Sequence, residues 1–256
     1  MSALTVGVTT ARSPECKRGL AVNLAASLAR DAARTLAVCV VDADPLNLDV
    51  TTRLVVRGPV LEDFGNGDAP ASSTLGSVHE PPLWVLPSAG AGVGLARRAT
   101  RRALHQLRAD FDVVVCDLLA CNLLDGPSEP VRPSEPVRVV SGRLDQLDWL
   151  LVAVTPRSEP VADAAQLLDQ LRAAKEHGDI ADSVGIGVVI TGDEGSVDLD
   201  SDTVAERLGA PVLGSVRQVW GRTAPNLGFG AALGIADLDD SVRALFAELT
   251  GVSTAR

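Results

Sequence analysis

The sequence predicts a doubly wound α/β fold, a mostly parallel seven-stranded sheet flanked by helices. Three observations predict it. Apolar, β-branched runs alternate with helical patterns along all 256 residues. The runs through Val40, Val114 and Val152 are continuously apolar rather than alternating, as in strands covered on both faces. Acidic residues close two of those runs, at Asp42–Asp44 and Asp117, where sheets of this kind bind ligands.

The expected strands, in order, are Leu4–Thr10 (LTVGVTT), Leu36–Asp44 (LAVCVVDAD), Leu83–Pro87 (LWVLP), Phe111–Asp117 (FDVVVCD), Trp149–Pro156 (WLLVAVTP), Val184–Thr191 (VGIGVVIT) and Pro211–Val216 (PVLGSV). Helical periodicity predicts helices over Leu20–Asp31, Gly94–Ala109, Val161–Glu176, Asp202–Leu208 and Leu238–Leu249. The whole chain, 1–256, reads as a single domain with irregular insertions near 60–82 and 122–143. The first insertion is rich in Gly, Ser and Pro and has room for one short helix. The second contains PSEPVRPSEPVR, Pro127–Arg138, a tandem six-residue duplication whose four prolines predict an extended, polyproline-like loop. Two readings of it stand: a partner-docking segment, or a slippage duplication in an exposed loop.

Composition narrows the function classes. The formal net charge of −10 does not favour nucleic acid, whose binding rests on neutralising phosphates. A local basic stretch exists, Ala96–Arg108 (ARRATRRALHQLR), and reads as a solvated helix face. No run of 18 apolar residues predicts a membrane span, and the first residues carry no basic n-region of a signal peptide. The last expected helix places Val242, Leu245, Phe246 and Leu249 on one face, but its flanks are acidic. Packing on the sheet explains that face better than a membrane does. Cys16, Cys39, Cys116 and Cys121 lack metal-ligand spacing, and Cys39 and Cys116 read as small buried hydrophobes. A reducing cytoplasm is expected.

Three pieces occur in a telling order. A lysine-bearing loop, Arg12–Gly19 (RSPECKRG), precedes a helix. VVDADPLNLD follows the second strand. FDVVVCD ends a later one. Together they resemble the MinD/ParA family of deviant Walker P-loop ATPases, which also includes CpaE-type proteins and bacterial tyrosine-kinase ATPase domains. Further stretches carry the resemblance: NLAASLA (Asn23–Ala29), LWVLPSAG (Leu83–Gly90), WLLVAVTPRSEPVADAAQLLDQL (Trp149–Leu171) and RLGAPVLGSV (Arg207–Val216). The resemblance implies ATP and magnesium as cofactors, a P-loop fold, and dimers formed face to face across the nucleotide.

Where the family writes KGGVGKT, this chain departs from it. By the resemblance Arg12 takes the place of the signature lysine, Ser13 and Pro14 replace two glycines, and Cys16 replaces the glycine before the Walker lysine. Lys17 matches that lysine, Arg18 replaces the magnesium-binding Thr or Ser, and Gly19 follows. Nucleotide-binding positions are therefore Arg12, Cys16, Lys17, Arg18 and Gly19. Asp42 and Asp117 match the residues that serve magnesium, and Asp44 the residue that orients the attacking water. A phosphate cradle needs successive inward N–H groups, often at positive φ. Pro14 has no N–H. A Cβ at Cys16 costs roughly 1–2 kcal/mol in the left-handed region. A guanidinium at Arg18 cannot ligate a cation. Lys17 is retained although the chain has only two lysines, the other being Lys175. The family's base-reading asparagine is replaced by Thr191 and Gly192.

These features predict a MinD/ParA-like protein with a degenerate nucleotide site, a pseudo-ATPase scaffold in positioning a division, partition or secretion assembly. The alternative is an active ATPase whose phosphate loop is rebuilt around arginines. An autophosphorylating tyrosine kinase of the usual form is excluded, because the chain has no tyrosine. Expected partners are a second copy or a family paralogue and other proteins. Two local expectations follow. Arg18 should pair with Asp42 or Asp117 in place of the metal, and Lys17→Ala should be nearly silent for stability if the loop has been released from nucleotide.

Overall fold

The structure is a computed structural model. It describes residues 3–12, 14–17, 19–30, 35–66, 70–78, 83–90, 92–120, 145–192, 198–217 and 244–250. Its strands are β1 (Leu4–Thr9), β2 (Val38–Ala43), β3 (Gly76–Val78), β4 (Leu83–Leu86), β5 (Val113–Leu118), β6 (Trp149–Val154), β7 (Gly185–Gly192) and β8 (Val212–Arg217). The helices are α1 (Leu20–Arg30), α2 (Asp49–Arg53), α3 (Val93–Asp110), α4 (Ser158–Glu176), α5 (Ser201–Leu208) and α6 (residues 244–250). The strands form one sheet in the order β3-β4-β2-β5-β1-β6-β7-β8, parallel except for β3 against β4.

The sheet thus has eight strands rather than seven. The additional one, β3, is three residues long, begins with glycine and lies in the Gly/Ser/Pro-rich stretch. Nothing that short shows a period, and its pairing with β4 is a tertiary event. The same stretch holds two 3-10 turns, Leu61–Asn66 and Ser72–Thr74, in place of the single short helix expected. Helix α4 begins three residues ahead of the expected Val161. Pro160 falls in its first turn, where a missing N–H costs nothing. Helix α5 is capped as its sequence suggests: the Asp200 carboxylate accepts from Thr203 N at 2.7 Å, and Gly209 closes it at φ 53°.

Alternate residues of each central strand serve opposite cores. Cys39, Val41, Cys116, Leu118, Val152 and Val154 pack with α3, α4 and α5. Val38, Val40, Val113, Val115, Leu151 and Ala153 pack with α1 and α6. Both faces are covered, which is why these strands read as continuous apolar runs. Cys39 and Cys116 are fully buried, and burial pushes the Cys39 thiol up. In α6, Leu245, Phe246 and Leu249 are buried in the second core, and Trp149 Nε1 donates to the Leu249 carbonyl at 3.0 Å. Their face covers the sheet. Val242, the PSEPVR duplication, Cys121 and Arg18 lie outside the described residues. Among those described, no helix is long and apolar enough to cross a membrane.

The topology sets the site. Strand β1 lies between β5 and β6, with β2 beyond β5. The register places Asp42 directly beside Asp117, and Val8 of β1 beside Asp117. The loops that leave β1 and β2 therefore meet over two adjacent carboxylates.

Candidate functional site: a lysine–carboxylate cluster at the sheet rim

Two carboxylates paired across neighbouring strands repel each other. Here a third, Asp44, stands two residues beyond Asp42, and all three are buried. Lys17 supplies the opposing charge. Its side chain is only 2% exposed, and its ammonium donates to Asp117 Oδ1 at 2.6 Å and pairs with Asp44 Oδ2 at 2.9 Å. Burial by itself would lower the Lys17 pKa, but Asp117 and Asp44 together outweigh it and hold the ammonium protonated. Asp42 is pushed up to about 6 by burial, against hydrogen bonds from Thr51. Burial likewise raises Asp117, with Lys17 pulling it down and Asp42 adding repulsion.

The remaining valences of the cluster fold the chain locally. Asp42 Oδ2 accepts from both Thr51 N at 2.8 Å and Thr51 Oγ1 at 2.6 Å. Thr51 Oγ1 accepts in turn from Ser88 N at 2.9 Å, and Ser88 Oγ donates to the buried Glu62 at 2.7 Å. Asp44 Oδ1 accepts from the backbone N–H groups of Leu46 and Asn47, an Asx-type turn that carries the chain from β2 into α2. Leu48, at φ 50°, is the one non-glycine residue with positive φ among those described. That strained residue turns Asp49 toward α1, where Asp49 Oδ2 accepts from Gly19 N at 2.7 Å. Arg53 pairs with Asp49 at 2.9 Å.

The loop after β1 is wound into a 3-10 turn, Pro14–Lys17. Cys16 escapes the left-handed penalty expected for it, because among the described residues of this loop only Gly19 has positive φ, at 74°. The turn is pinned to two further strand ends. Thr191 Oγ1 donates to the Cys16 carbonyl at 2.5 Å, and Thr155 Oγ1 donates to Cys16 Sγ at 3.3 Å. Thr191, which stands where the resemblance places a base-reading asparagine, thus holds the loop. Arg12 is set apart from the cluster. It is 60% exposed, 3.7 Å from Asp163, and lines a cavity of about 230 Å³ with Thr10, Cys16 and Glu159.

Of the sequence-predicted residues, then, Cys16, Lys17, Gly19, Asp42, Asp44 and Asp117 converge at one rim, and Arg12 faces away. The pairing expected of Arg18 falls outside the described residues, and Lys17 supplies the neutralising charge next to Asp117. The expectation that Lys17→Ala is nearly silent is reversed, because Lys17 is buried between two carboxylates. Thr51, Asp49 and Ser88 were not singled out from the sequence. An Asp at the head of a short Thr-rich segment, LDVTT, is the only local signal they left.

The described residues do not fit a magnesium ion. Asp42 Oδ2 is taken twice by Thr51, Asp117 Oδ1 and Asp44 Oδ2 are taken by Lys17, and no hydroxyl stands in the Arg18 position. Of the cluster's described carboxylate oxygens, Asp117 Oδ2 is buried without a hydrogen-bond partner. The Gly19 N–H is given to the Asp49 carboxylate.

A buried lysine between strand-end carboxylates, at the head of a helix following β1, is the frame of a P-loop site. Solved structures bear out the fold. The ParA family ATPase from Chlorobium tepidum matches with a TM-score of 0.69 and 18% identity, covering 97% of this chain and 98% of that one. MinD in a MinC:MinD cell division complex from Aquifex aeolicus matches with a TM-score of 0.71 and 16% identity, over 99% and 98%. The septum site-determining protein MinD complexed with Mg-ADP, from Pyrococcus horikoshii, matches with a TM-score of 0.66 and 16% identity, over 99% and 100%. No protein-family model and no curated protein sequence matches the chain. The fold is that of the MinD/ParA-type P-loop ATPases.

Proposed function

We propose that this chain is a MinD/ParA-like pseudo-ATPase, a single P-loop domain that retains the fold and has closed the nucleotide site with its own side chains. The observation that carries the reading is the state of Lys17. The cation that would meet a phosphate is buried and engaged by Asp117 and Asp44. Asp49 on the Gly19 N–H supports it, since a carboxylate takes an anion's place at the head of α1. Such a protein acts through its surfaces as a cytoplasmic scaffold that places a division, partition or secretion assembly, as a dimer or paired with an active paralogue. The MinC:MinD complex supports protein partners by analogy of fold.

The test is steady-state phosphate release by purified protein with Mg-ATP. Release at background is expected. Turnover that disappears in Asp44→Ala would overturn the proposal.

One observation favours a second reading. Arg12 is an exposed cation on a cavity beside the loop. An arginine there can clamp a phosphate without magnesium. ATP binding that survives chelation of metal and is lost in Arg12→Gln would select this reading.

A further inference from the structure

The outer face of α3 does not belong to the site described above. Between Gly94 and Arg108 its exposed or half-buried positions include Arg97, Arg98, Arg101, Arg102 and His105, and its first carboxylate is Asp110, the last residue of the helix. The inner face, Ala96, Ala99, Thr100, Ala103, Leu104 and Leu107, is buried against the sheet. In a chain of net charge −10 this is a concentrated patch of the opposite sign. Arg108 is committed elsewhere, to Asp148 at 3.4 Å and the Gln146 carbonyl at 2.6 Å. Arg102 donates to the Gly65 carbonyl at 2.9 Å, a neutral partner. Arg97 and Arg98 have no carboxylate partner among the described residues. With Arg101, Arg102 and Gly94 they line a depression of about 470 Å³.

We propose that this face is a docking surface for an acidic segment of a partner polypeptide, held by guanidinium–carboxylate pairs at Arg97, Arg98 and Arg102. Arg98 and Arg102 stand one turn apart, so their guanidinium anchors repeat at about 6 Å along the axis, with Arg97 beside them. Alternate side chains of an extended peptide repeat at about 6.6 Å, and glutamates four apart on a helix at about 6 Å, so either can match that pair. The planar fork of arginine suits a carboxylate in two-point contact. A membrane surface is the poorer occupant, because the exposed positions Gly94, Arg98, Arg101, Arg102 and His105 offer no apolar side chain to insert. A nucleic acid is also poorer: the patch is a single helix without aromatic residues, and a long polyanion meets the whole charge of −10, which a short acidic segment largely escapes through screening. The proposal does not depend on whether the rim cluster binds nucleotide.

The experiment is fluorescence anisotropy of the full chain with three probes at low salt: a labelled oligoglutamate peptide, a labelled DNA duplex, and phosphatidylserine-containing vesicles in a co-sedimentation arm. The peptide should bind, with affinity falling on addition of salt. Charge reversal in Arg97→Glu/Arg98→Glu should weaken it by about tenfold or more, since like charges then face the peptide. Arg97→Lys/Arg98→Lys keeps the charge and loses the fork, so an intermediate loss is expected. Circular dichroism of each variant confirms that α3 is intact. Failure of the peptide to bind, binding unchanged by charge reversal, or preferred binding of the duplex or the vesicles would each overturn the proposal.

Discussion

The loops that leave β1 and β2 lie side by side at one rim and match the MinD/ParA pattern to very different degrees. The first, Arg12–Gly19, has no glycine before Gly19 and winds into a 3-10 turn over Pro14–Lys17. The second, Asp42–Asp49, keeps its two carboxylates and surrounds them with donors. The difference teaches what each residue was needed for. The glycines and metal-binding hydroxyl of a phosphate loop serve a ligand. Carboxylates at buried strand ends also organise the next loop, and once present they require a cation. Lys17 is the residue on the first loop that the buried carboxylates need, and it is held by Asp44 and Asp117.

Breaking that link should have the largest effect. Lys17→Met leaves the carboxylates buried without their cation, and chemical denaturation should show a loss on the order of 3–5 kcal/mol. Adding Asp117→Asn should recover part of it, whereas additive losses in the double mutant would mean the two residues are not coupled.

The next effect is a pH dependence that sharpens the role of the β2 end. The folded-state pKa of Asp42 is raised from 3.8 to about 6, so between these values the folded state binds more protons than the unfolded chain. Its contribution is fully present below the unfolded value and is lost as pH rises through about 6. Stability should therefore fall from pH 4 to pH 7 by up to about 3 kcal/mol at this residue. Asp42→Asn should flatten that slope in urea titrations run across the range.

A smaller effect should come from Thr51→Val, which removes one charge-assisted donor to Asp42 and the acceptor of Ser88 N. A loss of about 2 kcal/mol is expected from the denaturation midpoint. Smallest is Asp49→Asn, where the charge at the head of α1 and its half-buried pairing with Arg53 go, together worth about 1 kcal/mol. Should Asp49→Asn exceed Lys17→Met in cost, the two loops would owe their arrangement to the α1 contact rather than to the cluster.

The sequence made the framework readable for a physical reason. Strands buried on both faces give apolar runs that need no context, and all seven expected strands lie within two residues of their observed ends. Segment β3 and helix α2 were not readable, since three and five residues carry no period and depend on β4 and on the Asp44 turn. At the site, Lys17, Asp42, Asp44 and Asp117 were legible because a motif spaces them. Asp49 was not. It reaches Gly19 only because Leu48 adopts a positive φ that no leucine advertises. Nor could the sequence tell that Cys16 would avoid strain by entering a right-handed turn pinned by Thr191 and Thr155.

The central claim is that the rim cluster keeps Lys17 engaged by Asp44 and Asp117 and has no place for a nucleotide. Calorimetric titration of the full chain with ATP and with ADP, each in the presence and absence of magnesium, tests it most directly. The account predicts no saturable heat in any of the four titrations. Saturable, magnesium-dependent binding of either nucleotide would show that Lys17 leaves Asp44 and Asp117 for a phosphate, and would contradict it.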